Sequence, residues 1–114
     1  MKNKRVLVTG ANGMLGCSLV PYLIQYGYIV GKSGTSNTSE YTADLSVEID
    51  AYNVFDKFKP DVIVNLAAYT DVDGCEKHPN IAYAVNTFIV KNITSWIKKT
   101  SSKCILAQLS TDHV

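Results

Sequence analysis

The chain has 114 residues, of which 46% are hydrophobic, and its 11 basic and 10 acidic residues leave a formal net charge of +1. This apolar content suits one folded domain with a single core and excludes a disordered chain. The charges are scattered, without the basic stripe or polybasic run that nucleic acid or a membrane surface selects, so we expect neither partner. Cys17, Cys75 and Cys104 have unrelated spacings that make neither a disulfide framework nor a metal site, which indicates a reducing compartment, the cytoplasm.

Short apolar runs alternate with amphipathic segments along the chain. The runs are apolar throughout, which is typical of strands buried on both faces of a parallel sheet, and they lie at 5–10, 28–31, 61–68 and 104–110. Helical spacing of apolar residues predicts helices over 15–26, 47–58 with Ser46 as N-cap, and 79–97, while 41–44 suits a short edge strand. The alternation predicts a Rossmann-type, doubly wound α/β sheet with strand order 3-2-1-4-5.

Three glycines follow the first strand in the segment VTGANGMLG. Gly10, Gly13 and Gly16 give the pattern G-x-x-G-x-x-G between a strand and a helix. The first suits a tight turn, the second lets the backbone approach a pyrophosphate, and the third lets helix and sheet pack closely. The helix N-terminus then attracts the phosphates. We therefore predict a dinucleotide site, the alternative being a structural turn that binds nothing.

The end of the second strand bears on which dinucleotide binds. An Asp or Glu at this place holds the ribose hydroxyls of NAD. Here Ser33 stands about where the carboxylate is expected, with Lys32 beside it. A cation and a small hydroxyl suit a 2′-phosphate better than a diol, so we predict NADP(H) in preference to NAD(H). The alternative is that Lys32 is only a solvated surface lysine.

Five segments resemble those of extended short-chain dehydrogenases/reductases, and most of all the dTDP-4-dehydrorhamnose reductase branch: VTGANGMLG, ADL, PDVIVNLAAYTDVDGCE, AYAVN and LSTDHV. They occur in the order and spacing of that family and cover nearly the whole chain. The resemblance implies an oxidoreductase of dTDP-rhamnose biosynthesis that reduces a 4-keto nucleotide-sugar, and Lys32 and Ser33 favour NADP(H) as its cofactor.

The resemblance also implies roles for individual residues. Three segments are expected to contact the cofactor. The pyrophosphate is expected at the glycine turn, near Gly10, Asn12, Gly13, Met14 and Leu15. Asp44 and Leu45 are expected to border the adenine, and the nicotinamide side is expected to be lined by Ala67, Ala68, Tyr69 and Thr70. Thr111 matches the catalytic Ser/Thr of the family, and Asp112 matches the neighbour that meets the substrate. His113 departs from the family's usual Tyr. The alternative interpretation is that Asp44 caps a loop end and that Thr111 and Asp112 cap a turn.

The chemistry of the family also needs a Tyr-x-x-x-Lys pair on a later helix, where the Tyr donates a proton and the Lys lowers its pKa. Tyr83 is followed four positions later by Thr87 instead of a lysine. We therefore expect residues 1–114 to be an incomplete N-terminal part that is inactive alone. Alternatives are another nucleotide-sugar epimerase or dehydratase, or a non-catalytic regulatory subunit of the same fold. The sequence is compatible with a homodimer.

Overall fold

The computed structural model describes residues 4–11, 14–34, 40–66, 79–100 and 103–108. The strands are β1 (Arg5–Thr9), β2 (Ile29–Gly34), β3 (Tyr41–Thr42), β4 (Val62–Asn65) and β5 (Ile105–Gln108). The helices are α1 (Met14–Gln25), α2 (Glu48–Phe58) and α3 (Pro79–Lys99). Within these ranges, no helix combines the length and the apolar character that crossing a membrane requires.

The five strands form one sheet in the order β3-β2-β1-β4-β5, and every pairing between neighbours is parallel. This confirms the predicted architecture and strand order. The chain moves from β1 outward to β2 and β3, then crosses back through α2 to β4 on the other side of β1. The direction of winding therefore reverses beside β1, and open α/β sheets bind ligands at the carboxyl ends of the strands at such a point.

The sheet separates two apolar cores, because successive side chains of a strand point to opposite faces. On one face, Leu7 and Ile63 are fully buried against α2 and α3, where the Phe55 and Trp96 rings lie 5.3 Å apart. On the other face, Val6 and Val8 pack with residues of α1 in a second cluster. The apolar runs of the sequence therefore supply both cores, as expected for strands buried on two sides.

Several predicted boundaries are wrong. The second strand runs to Gly34 instead of ending at residue 31, since Lys32 and Ser33 continue the ladder beside β1. The edge strand β3 has two residues instead of four. Ser46 is not the N-cap of α2: Val47 occupies that position without a side-chain cap, and the Ser46 hydroxyl donates to Asp44 Oδ1 at 2.6 Å.

Candidate functional site

Two of the three glycines between β1 and α1, Gly10 and Gly16, have the backbone geometry that the glycine pattern predicts. Gly10 follows β1 with φ at 66°, in the left-handed region that favours glycine. A Cβ on Gly16 would lie 2.5 Å from the carbonyl oxygen of Ala11, so only glycine allows α1 to approach the turn this closely. The helix begins at Met14. A helix N-terminus is the place where backbone N–H groups can bind phosphate, and Asn12 and Gly13 of the predicted pyrophosphate site lie outside the described residues.

The same turn is held against the end of β2. The N–H of Ala11 donates to the carbonyl of Ser33 at 3.3 Å. The Ser33 side chain is fully buried, and its Oγ donates to the carbonyl of Tyr41 at 3.3 Å. Lys32 lies on the opposite face of the strand and is exposed. Of the two predicted β2 residues, Ser33 therefore contacts the turn through its carbonyl, and Lys32 presents its side chain to solvent.

A carboxylate that the sequence reasoning missed lies at the same strand end. Glu40 is exposed, and its Oε1 accepts the N–H of Lys32 at 3.0 Å. The sequence held one signal for it, because Glu40 directly precedes the predicted edge strand at 41–44.

Asp44 and Leu45, predicted to border the adenine, follow β3. Asp44 Oδ1 accepts both the backbone N–H and the hydroxyl of Ser46, at 3.0 and 2.6 Å, which is the loop-capping geometry named as the alternative. The Leu45 side chain is buried in the core beside α2, and the Leu45 carbonyl accepts the amide of Asn92 at 2.9 Å. An adenine at this place would therefore meet the exposed Asp44 and backbone atoms instead of the leucine side chain.

A buried polar pair joins the carboxyl ends of the two central strands. The Thr9 hydroxyl donates to Asn65 Oδ1 at 2.6 Å. It also accepts the N–H of Leu66 at 3.2 Å, and that N–H lies 3.2 Å from the Thr9 carbonyl as well. The pair ties the start of the glycine turn to the backbone that leads into residues 67–70. The sequence reasoning missed it, although Thr9 and Asn65 are the polar exceptions at the ends of two apolar runs.

Replacing Thr9 by valine is expected to lower the free energy of unfolding by about 1–3 kcal/mol, because the buried Asn65 oxygen and Leu66 N–H each lose a partner. Urea denaturation measures the change. Thr9→Ser is the matched control, since it keeps the hydroxyl and removes only a methyl group, at a cost of about 1 kcal/mol or less. Equal losses in the two variants would show that the hydroxyl contributes nothing.

The expectation that no Tyr in the chain precedes a Lys by four residues is wrong, because Tyr28 and Lys32 have this spacing. Tyr28 directly precedes β2, and Lys32 lies within that strand. Residues four apart in a strand are about 13 Å apart, whereas one helical turn would place them side by side. The match is therefore a coincidence of spacing and does not supply the proton donor of the family.

The other predicted site residues lie outside the described residues, as does His113; they are Ala67, Ala68, Tyr69, Thr70, Thr111 and Asp112. Within the described ranges, no group of three or more His, Cys, Asp and Glu side chains is placed to hold a metal ion. Burial, assisted by the nearby Asp61 charge, raises the pKa of the Cys104 thiol to about 11, so this cysteine is a protonated thiol at neutral pH.

Comparison with known proteins places this geometry in a family. The model of the RmlD substrate binding domain matches residues 4–114. The dTDP-4-dehydrorhamnose reductase of Aggregatibacter actinomycetemcomitans is 36% identical over 111 residues, which are 96% of this chain and 35% of that protein. The probable low-salt glycan biosynthesis reductase Agl14 of Haloferax volcanii is 41% identical over 86 residues, 69% of this chain and 28% of that protein. The chain spans roughly a third of the length of these relatives.

Solved structures agree with this placement. The dTDP-4-dehydrorhamnose reductase of Bacillus anthracis, crystallised in complex with NADP, aligns with a TM-score of 0.70 and 28% identity, over 91% of this chain and 35% of that one. The Thermus thermophilus UDP-glucose 4-epimerase in complex with NAD aligns with a TM-score of 0.75 and 22% identity, over 89% and 36% of the two chains, which is a likeness of fold alone. Since the family model covers residues 4–114, the chain belongs to the family of the RmlD substrate binding domain.

Proposed function

We propose that the chain is the dinucleotide-binding part of a cytoplasmic reductase that acts on a 4-keto nucleotide-sugar and prefers NADP(H). The observation that carries the proposal is the glycine turn. Gly10 has a left-handed backbone, and Gly16 leaves no space for a Cβ, so the helix N-terminus and the end of β1 lie close together at the point where the winding reverses. A bound pyrophosphate needs this arrangement of backbone N–H groups.

The substrate class follows from the relatives. Two of them, 36% identical over 96% of this chain, are named dTDP-4-dehydrorhamnose reductase. The bound dinucleotide would supply a hydride. The residues of this chain would bind and orient the dinucleotide and the sugar. In this proposal Thr111 donates a hydrogen bond to the substrate oxygen as that oxygen gains negative charge, and Asp112 contacts the sugar. The proton comes from a Tyr-x-x-x-Lys helix outside residues 1–114.

Lys32 is the residue that favours NADP(H). Its side chain is exposed one residue before Ser33, whose carbonyl binds the glycine turn. The adenosine ribose of a dinucleotide lies at this strand end, so the lysine charge would attract a 2′-phosphate and leave a neutral diol largely unaffected. The Bacillus anthracis relative was crystallised with NADP, which supports the same choice.

Titration of the full-length protein with NADPH and NADH tests the cofactor site. We expect both to bind, NADPH more tightly, and Gly13→Ala to weaken both by about 1–3 kcal/mol, because a methyl group there would crowd the pyrophosphate. Unchanged affinity in the variant would count against the site, and tighter binding of NADH by the parent would count against the preference.

Turnover separates the remaining candidate functions. Net oxidation of NADPH by a 4-keto nucleotide-sugar is expected for a reductase. An epimerase or dehydratase returns the hydride to the sugar and leaves the cofactor pool unchanged. A protein that binds cofactor but turns over no nucleotide-sugar would be a regulatory subunit.

A further inference from the structure

The end of β2 carries two opposite charges that are eight residues apart in the sequence. Glu40 Oε1 accepts the backbone N–H of Lys32 at 3.0 Å. The next two residues, Tyr41 and Thr42, form β3 and pair in parallel with Ser33 and Gly34. The pairing of β2 with β3 therefore brings the Glu40 carboxylate to the level of Lys32, one residue before Ser33.

This position is close enough to influence a charge bound at the strand end. One residue of a strand is about 3.3 Å long, so a group held at Ser33 or Gly34 lies within about 10 Å of the carboxylate, the Debye length at 0.1 M salt. Lys32 and Glu40 are both exposed, so their side-chain charges act on the same region from the solvent side. The Asp44 carboxylate, at the other end of β3, accepts two hydrogen bonds from Ser46.

We infer that Glu40 is a specificity-determining residue that limits the preference for NADP(H) and keeps NADH usable. The inference rests on the proposed dinucleotide site. A phosphate monoester carries about −1.5 to −2 charges at neutral pH, whereas a ribose diol carries none. The carboxylate therefore repels the phosphorylated dinucleotide selectively, while Lys32 attracts it, and the balance between the two side chains sets the ratio of the two affinities.

The substitution Glu40→Gln removes the negative charge of this side chain and keeps its size and shape. The glutamine carbonyl oxygen still accepts the N–H of Lys32, so the contact between β2 and β3 is kept. The dissociation constant of NADPH is expected to fall about three- to tenfold, and that of NADH to change less than about twofold. The gain should shrink as the salt concentration rises from about 0.05 to about 0.5 M, because exposed charges are screened.

Two further variants control the experiment. Glu48→Gln removes the same charge from α2, where the carboxylate is exposed and lies 3.7 Å from Lys99 Nζ, and it should leave the ratio of the two dissociation constants unchanged. Lys32→Gln should weaken NADPH binding, and the double variant Lys32→Gln/Glu40→Gln should return the ratio close to that of the parent.

Fluorescence titration of the full-length parent and variants with both dinucleotides decides the matter. A selective gain for NADPH in Glu40→Gln, absent in Glu48→Gln, is the result expected. The inference is wrong, and the proposed function stands, if the parent binds both dinucleotides but Glu40→Gln and Glu48→Gln change the ratio of the two dissociation constants equally or not at all. If the parent binds neither dinucleotide, the proposed function itself fails.

Discussion

Residues 1–114 alone are expected to oxidise no measurable NADPH in the presence of a dTDP-4-keto-6-deoxy sugar, while the full-length protein with a Tyr-x-x-x-Lys helix is expected to do so. The single pair with this spacing, Tyr28 and Lys32, lies at the start of β2 and within it, so it cannot act as one unit. A positioned general acid contributes about 10²- to 10⁴-fold to a rate, and positioning of the substrate contributes further. Absorbance at the NADPH band follows the reaction.

The same assay tests the role of Thr111. In the full-length protein, Thr111→Ala is expected to lower kcat more than it raises KM, because its hydrogen bond strengthens as negative charge develops on the substrate oxygen. Thr111→Ser keeps the hydroxyl and serves as the control. Turnover by residues 1–114 alone would contradict the assignment of the proton donor, and equal kcat values for the alanine variant and the parent would remove Thr111 from the reaction.

Replacing Gly16 by alanine is expected to weaken dinucleotide binding about 10- to 100-fold and to destabilise the fold by about 1–3 kcal/mol. The new Cβ would lie 2.5 Å from the Ala11 oxygen and 2.7 Å from the Ala11 carbonyl carbon and Cα. All three are backbone atoms, so no side chain can rotate away and α1 must shift from the turn. The shift would misplace the N–H groups at the start of the helix, which the proposed pyrophosphate site needs.

Gln25→Ala is the matched control for this prediction, because Gln25 is exposed near the end of α1 and far from the turn along the helix. Thermal unfolding and NADPH titration of both variants separate two outcomes. A loss of stability with unchanged affinity would mean that the turn only joins strand to helix. Unchanged stability and affinity would mean that the close contact between Gly16 and Ala11 does not matter.

The sequence by itself determined the parallel sheet, its strand order and the glycine turn. The strand order followed from the alternation of strands and helices along the chain. The apolar strands and the glycine turn are local properties, since a strand buried on both faces must be apolar at every position, as β1 and β4 are almost throughout. A backbone that turns at Gly10 and packs tightly at Gly16 has to use glycine at both places. Such requirements act on single residues and their immediate neighbours, so they are visible without knowing what packs where.

Only the tertiary structure decided which polar groups meet. Thr9 binds Asn65 from 56 positions away, and Glu40 reaches Lys32 from eight positions away across the pairing of β2 with β3. Likewise, Ser33 is buried and Lys32 is exposed because β2 continues beside β1 beyond residue 31. The apolar pattern of the sequence ends this strand at residue 31 and so does not predict their burial. The physical reason is common to all three: parallel pairing sets the register between strands that are distant in the chain, and register determines the partner and the burial of each polar side chain.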